Sequence, residues 1–200
     1  MGDVNLEIQL PKPKFNGDMS LEEAIFNRKS IRSFVDKEIE IEKISQLLWG
    51  AQGKSISKRT VPSAGAIYPL EIYVFLKNKG LYHYDIRKHT LNLEIEEEMN
   101  ERFLKQLTEF SLSQNFIFEA PLNMIICVNF PKIIRGYGER GKRYALIEVG
   151  HCAQNVHLEA VALGLGSVPI GAFRDKQISQ LLKLPDNLDP IYIIPIGYAK

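Results

Sequence analysis

Apolar residues recur along this chain with two different periods, and the changes of period divide it into elements. Ile41, Ile44, Leu47, Leu48 and Ala51 recur at helical spacing, which predicts a helix over about 41–52. Leu146, Val149, Ala153, Val156, Ala160 and Leu163 fall on one stripe of a longer helix over about 143–163, with Gly164 as its stop. Leu70–Leu76 alternates two apolar faces and reads as a strand. Residues 81–86 and 90–95 follow the turn Asn78-Lys-Gly80 as a hairpin, in which Leu91, Leu93 and Ile95 alternate with polar residues. The almost unbroken apolar run 123–130 predicts a strand buried on both faces, and 190–196 a last strand.

The remaining segments carry weaker patterns. Ser20-Leu-Glu-Glu23 is a capping box that opens a short helix reaching about Arg28. Residues 96–107 read as a helix, and Asp175 can cap another that carries Ile178, Leu181 and Leu182. Residues 1–19, with Pro11 and Pro13, read as an extended arm laid on another surface, so the folded domain is expected over 20–200. Residues 53–69 and 131–141 read as loops, the second basic. Strands and helices mix without strict β-α-β alternation, which favours an α+β fold over a doubly wound sheet.

Composition narrows the possibilities mainly by exclusion. The 200 residues hold 25 Lys+Arg against 24 Asp+Glu, a net charge of +1, so a grossly basic nucleic-acid binder is excluded. Hydrophobic residues at 45% and charged residues at 24% are those of an ordinary globular domain. Two cysteines, Cys127 and Cys152, exclude a disulfide scaffold and a four-cysteine zinc site, and suit a reducing compartment. The N-terminus lacks the apolar stretch of a signal peptide, and the longest uncharged run, 160–173, is too short to span a bilayer. A cytoplasmic protein with no membrane or nucleic-acid partner is therefore expected.

Three segments concentrate candidate chemistry. Arg28-Lys-Ser-Ile-Arg32 places three cations and a hydroxyl within five residues, suited either to a phosphate or to a solvated helix C-terminus. Arg59-Thr-Val-Pro-Ser-Ala-Gly-Ala-Ile-Tyr-Pro-Leu-Glu71 combines small residues with Gly65, which reads as a cover for a flat ligand or as an ordinary Ω-loop. Gly164-Leu-Gly-Ser-Val-Pro-Ile-Gly-Ala-Phe173 follows a helix rather than a strand, so it is not a dinucleotide loop. It is either a tight link, or a segment whose backbone amides at Gly171 and Ala172 face a cofactor heteroatom. His151 and His157 stand six apart on one helix, on different faces, so no metal site is expected. Both, with Cys152, read as core residues or residues that back a site. No nucleophile elbow, Walker A loop or catalytic triad is present.

Arg28-Lys-Ser-Ile-Arg-Ser-Phe34, Pro62-Ser-Ala-Gly65, Gly166-Ser-Val-Pro-Ile-Gly-Ala-Phe173 and Ile194-Pro-Ile-Gly-Tyr-Ala-Lys200 occur in the order and spacing of the nitroreductase family of FMN-dependent oxidoreductases, which the chain resembles over about 20–200. Pro62-Ser-Ala-Gly-Ala-Ile-Tyr-Pro-Leu-Glu71 and Tyr137-Gly-Glu-Arg-Gly-Lys-Arg-Tyr-Ala-Leu-Ile-Glu-Val-Gly-His151 are similar to its SagB-type branch, which includes azoline oxidases. The resemblance implies a mixed four- to five-stranded sheet flanked by helices and an interlocked homodimer with FMN at each of two interface sites. Arg28, Lys29 and Ser30 would hold the phosphate and ribityl chain, Lys200 would be a second phosphate anchor, and Arg32 would approach the N1/O2 edge. Pro62, Ser63, Ala64 and Gly65 of the other subunit would cover the ring. Gly171, flanked by Pro169, Ile170 and Ala172, would face N5 through its N–H. Arg32, Gly171, Tyr68 and Tyr144 would be the catalytic group, the tyrosines gating the pocket or donating a proton. NAD(P)H would deliver hydride through FMN to a nitroaromatic, quinone or related acceptor in a ping-pong cycle, and the basic stretch Lys132, Arg135, Arg140, Lys142 and Arg143 could attract the nucleotide's phosphates. The alternatives are dehydrogenation of a peptide azoline, where Lys142-Arg-Tyr144 loosely matches a Lys–Tyr base pair, and a non-catalytic flavin-binding protein.

Overall fold

Seven consecutive buried residues, Leu122–Val128, form β5, which lies between two other long strands in the middle of the molecule. The computed structural model describes residues 6–56, 58–95 and 100–200. In chain order the elements are β1 (Glu7–Gln9), α1 (Leu21–Asn27), α2 (Ile41–Gln52), β2 (Leu70–Leu76), β3 (Gly80–Asp85), β4 (Thr90–Ile95), α3 (Asn100–Phe110), α4 (Phe116–Glu119), β5, α5 (Phe130–Tyr137), α6 (Arg140–Ala162), β6 (Gly166–Ser167), α7 (Asp175–Leu181) and β7 (Asp189–Gly197). The strands make one sheet in the order β1-β4-β3-β2-β5-β7-β6.

Period-two alternation on the central strands sends side chains into two cores. Ile72, Val74 and Leu76 of β2, with Met124 and Ile126 of β5, face Ile44, Leu47 and Leu48 of α2 and Val149 and Val156 of α6. Tyr73 and Phe75, with Ile125 and Cys127, face Phe103, Leu104 and Leu107 of α3 and Ile178 and Leu182 at α7. Helices thus cover both faces, which is why β2 and β5 read as near-continuous apolar runs although all their pairings are antiparallel.

The α+β class holds, with differences in detail. Two short edge strands, β1 and β6, extend the five longer ones to seven. Every strand pairing is antiparallel rather than mixed, and among the described residues the one parallel bridge, Ser30 with Ser167, is isolated. Part of the N-terminal arm is β1, paired with β4 of its own chain. The segment 131–141 is not a loop. The Asn129 side chain accepts from the Lys132 N–H at 3.0 Å and Pro131 sits in the first turn, so α5 forms, and Gly138 at φ +56° ends it. Helix α6 consequently starts at Arg140 rather than 143, and Gly164 at φ +70° terminates it as expected. Helix α3 is described from Asn100, so 96–99 of the expected helix lie outside the described residues. Asp175 opens α7 as its first residue rather than capping it.

Candidate functional site

Three of the four motifs meet at one corner of the sheet. Ser30 bridges Ser167 of β6, and the Ile31 N–H donates to the Ser167 carbonyl at 3.0 Å. Phe34 bridges Ala199, the Val35 N–H donates to the Tyr198 carbonyl at 2.9 Å, and the Lys200 N–H to the Ser33 carbonyl at 3.2 Å. The approach is close enough to require glycine. A Cβ at Gly166 would lie 2.7 Å from Ile31 Cβ and Cγ1. On this cradle Arg28 is half-buried while Lys29 and Arg32 are exposed, and among the described residues none of the three pairs with a carboxylate. Lys200 does pair, through Nζ to Glu119 Oε2 at 3.1 Å.

His157 of α6 lies under the cradle. Its Nδ1 is 2.7 Å from Ser167 Oγ, while its buried Nε2 has no partner among the described residues. Burial, and then the charge of Arg28, lower its pKa to about 4, so the imidazole is neutral near pH 7. His151, by contrast, is exposed rather than in the core. Both cysteine thiols are buried and pushed well up by that burial, so neither is a reactive thiolate. Among the described residues no group of His, Cys, Asp and Glu could hold a metal ion, and no helix is long and apolar enough to cross a membrane.

The fourth motif forms a separate half-site. Gly65, Ala66 and Tyr68 have φ of 58°, 54° and 52°, so a short stretch holds three left-handed residues, two of them not glycine. Such strain persists only where surroundings over-determine it. Here Ser63 Oγ accepts from the Tyr68 N–H at 2.8 Å, and Lys132 Nζ donates to the Tyr68 carbonyl at 2.7 Å. The Arg59 guanidinium lies 4.5 Å from the Tyr68 ring centroid. Tyr137 stands against Gly65, whose Cβ would lie 2.8 Å from its hydroxyl, and meets Tyr144 edge-on at 5.1 Å. An open groove of about 400 Å³ runs along Lys58, Arg59, Pro62, Ser63, Ala66 and Tyr68.

Strand register places the two half-sites at opposite ends of the sheet. The loop enters β2 at Leu70, which pairs with Val128, itself paired with Asp189 at the start of β7. The cradle is at Gly166, paired with Gly197 at the end of β7. Nine residues of strand separate those ends by ~27 Å. Gly171 and Ala172 lie between, exposed, just past Ile170, whose backbone is bound to Ile193 and whose side chain is in the core. One chain therefore unites 28–34, 166–170 and 194–200, and does not bring Pro62–Gly65, Tyr68 or Tyr144 to them. A cavity of about 770 Å³ between the N-terminal arm, α1, α2 and α6 is lined by none of the expected site residues.

Glu148 was not anticipated from sequence. It is 2% exposed on α6, and its Oε1 accepts from Gln52 Nε2 at 3.2 Å. Burial pushes its pKa up, against the opposing pull of Ser63, Gln52, Arg59 and Lys132. The available signal was a carboxylate on the apolar face of α6, between Ala145 and Cys152.

Comparison with known proteins identifies the family of the fold. A protein of Methanocaldococcus jannaschii named as a nitroreductase is 39% identical over 204 residues, spanning 98% of each chain. A crystal structure named as a nitroreductase of Ralstonia eutropha superimposes with a TM-score of 0.86 at 28% identity, covering 100% of this chain and 92% of the other. The microcin B17-processing protein McbC of Escherichia coli is 26% identical over 187 residues, 86% of this chain and 66% of that protein. The NADPH:FMN oxidoreductase of Vibrio harveyi shares the fold, with a TM-score of 0.68 at 19% identity, covering 90% of this chain and 69% of that one. Residues 25–198, which contain both half-sites, match the Nitroreductase family, and with the Methanocaldococcus relative matched end to end, the chain belongs to that family of oxidoreductases.

Proposed function

We propose that the protein is an FMN-dependent oxidoreductase that takes hydride from a reduced nicotinamide nucleotide and passes it to a small acceptor such as a nitroaromatic or a quinone, working as a homodimer. The observation that carries this reading is the cradle. Arg28, Lys29 and Arg32 have no carboxylate partners among the described residues, and the charge of Arg28 acts on a buried imidazole whose Nε2 is orphaned. Cations and an unpartnered polar atom in one place fit a phosphate ester. Arg28, Lys29 and Ser30 would hold the FMN phosphate and ribityl chain with Lys200 beside them, Arg32 the pyrimidine edge of the ring, and the Gly171 N–H the ring's central nitrogen. Bound there, FMN supplies the two-electron hydride chemistry that none of the side chains can perform. The Arg32 guanidinium would stabilise negative charge at the pyrimidine edge, and Tyr68 or Tyr144 would hold a proton for the acceptor.

Two copies are needed to complete such a site, because Pro62–Gly65 lie at the far end of the sheet from the cradle of their own chain. The outer face of α6 supports pairing. Arg143, Leu146, Ile147, Gly150, His151 and Gln154 are exposed at helical spacing, and Leu21, Ile25 and Phe26 of the neighbouring α1 are exposed as well. The similarity to McbC favours one further substrate class, a peptide azoline oxidised by loss of hydride to the flavin and a proton to a base. Lys142 is the weaker base candidate, since its Nζ is bound to Glu139 at 2.7 Å, and Tyr144 the better one.

The test is the visible spectrum of the purified protein, followed by flavin reduction with NADH and NADPH in a stopped-flow instrument and an acceptor panel. A bound flavin band bleached by either nucleotide is expected. Arg28→Ala should lose FMN more readily, by ~1.5–3 kcal/mol for a charged hydrogen bond, whereas Arg32→Ala should chiefly slow reduction. A folded protein that takes up no added FMN overturns the reading.

A further inference from the structure

We infer that Glu148 is a positioning residue, a buried carboxylate that fixes the Tyr68 loop through a directional chain of Gln52 and Arg59. The inference concerns how the loop is held, and its functional weight rests on the reading above that this loop covers the cofactor ring.

The chain has a sense. Gln52, 0% exposed at the end of α2, donates from Nε2 to Glu148 Oε1 and accepts at Oε1 from Arg59 Nη1 at 3.1 Å. Only one orientation of the amide satisfies both neighbours, because a carboxylate must accept and a guanidinium must donate. Glu148 therefore sets the orientation of Gln52, and Gln52 presents an oxygen to Arg59. Arg59, so held, lies over the Tyr68 ring. Its charge is faced by Glu71 and Glu148 and by the hydroxyls of Tyr68 and Tyr84, while among the described residues no carboxylate lies within ion-pair distance of it. The loop it clamps holds two non-glycine residues in the left-handed region, a conformation that relaxes when its restraints go.

Stability alone does not account for the carboxylate. Among the described residues Glu148 Oε2 has no hydrogen bond of its own and no cation pairs directly with the group, so Ser63, Arg59 and Lys132 offset only part of what burying its charge costs the fold. The upward push on its pKa has the same origin. What the group does supply is an acceptor that orients Gln52, with the Ser63 hydroxyl of the same loop also drawn to it.

Trp49, the single tryptophan, reports on the loop without any flavin. Its Nε1 donates to the Lys54 carbonyl at 2.9 Å, and its own carbonyl accepts from Thr60 Oγ1 at 3.0 Å. The experiment compares acrylamide quenching of Trp49 and FMN affinity in wild type, Glu148→Gln, Glu148→Leu, Arg59→Leu and the double variant Glu148→Leu/Arg59→Leu. Glu148→Gln keeps an acceptor for Gln52 and should resemble wild type. Glu148→Leu and Arg59→Leu should each raise quenching roughly twofold by local opening of the loop, and weaken FMN about tenfold, equivalent to ~1.4 kcal/mol. The double variant should be no worse than either, since both break one chain. Unchanged quenching in Glu148→Leu, an additive double variant, or a Glu148→Gln as loose as Glu148→Leu would each overturn the inference. Should Glu148→Leu not fold, Arg59→Leu, at a half-exposed site, still tests the last link, and unchanged quenching there is equally fatal. The expected quenching pattern in a wild type that binds no FMN would uphold the clamp while overturning the flavin reading.

Discussion

Substituting His157 by Gln tests the cradle through its pH dependence, in the apoprotein. The buried imidazole has a pKa of about 4 against 6.5 in the unfolded chain. Between those values the unfolded state binds a proton that the native state excludes, so native stability falls as pH is lowered through this window and is fully present above 6.5. The gap corresponds to about 3 kcal/mol by pH 4, at ~1.4 kcal/mol per pH unit. A Gln side chain can still bond Ser167 Oγ but takes up no proton, so its stability should lack that slope.

Urea unfolding followed by far-UV circular dichroism at several pH values from 7.5 to 4.5 gives both curves. His89 is also held down by burial and contributes in the same direction, while Glu148 and Glu159 are pushed up and contribute in the opposite one. These groups are common to both proteins and cancel in the difference. The wild-type curve should fall away from the variant's below pH 6.5 and run parallel to it above. Parallel curves down to pH 4.5 would show that the imidazole is not buried as described, and the orphaned Nε2 would no longer point to an anion. Arg28→Ala should lessen the slope, because Arg28 is the second cause of the depression. An anion bound at the cradle should lessen it too, by making protonation of His157 easier.

Gly166→Ala forces a Cβ to within 2.7 Å of a β-branched Ile31 that cannot swing aside, so overpacking should cost ~1–3 kcal/mol in thermal or urea unfolding and loosen retained FMN as Arg28 to Arg32 move off β6. Leu146→Glu places a charge on the exposed stripe of α6, 48% exposed in the single chain, and should convert a dimer to a folded monomer in sedimentation analysis. A Leu146→Glu protein that remains dimeric would move the interface elsewhere.

Elements whose period matched their burial were legible in the sequence. The stripe of α2 and the apolar run of β5 each announce one environment, and the structure supplies that environment. Helix α5 was not legible because Pro131 and Gly136 are loop signals by frequency, and it took the Asn129 cap, on the residue just before the helix, to turn Pro131 into a first-turn residue. Strand β6 is two residues long and has no period at all. The cradle was legible for a local reason: its cations are neighbours in sequence, and so remain neighbours in space.

The clamp was not legible, because its members Gln52, Arg59, Tyr68 and Glu148 come from three separate segments, and although the loop holding Arg59 and Tyr68 stands out, nothing local ties it to Gln52 or Glu148. Glu148 nevertheless left a trace, as a charge that interrupts the buried face of α6 formed by Ala145, Val149, Cys152 and Val156. The same helix carries His157, nine residues and ~14 Å further along its axis, under the cradle. Helix α6 thus backs both half-sites of its own chain with one buried titratable group each, a carboxyl raised and an imidazole lowered toward their neutral forms. If the halves close only between two copies, α6 is also the element whose exposed stripe lies between them. A substitution on that stripe should then disturb cradle and clamp together, which neither half-site's own residues can do alone.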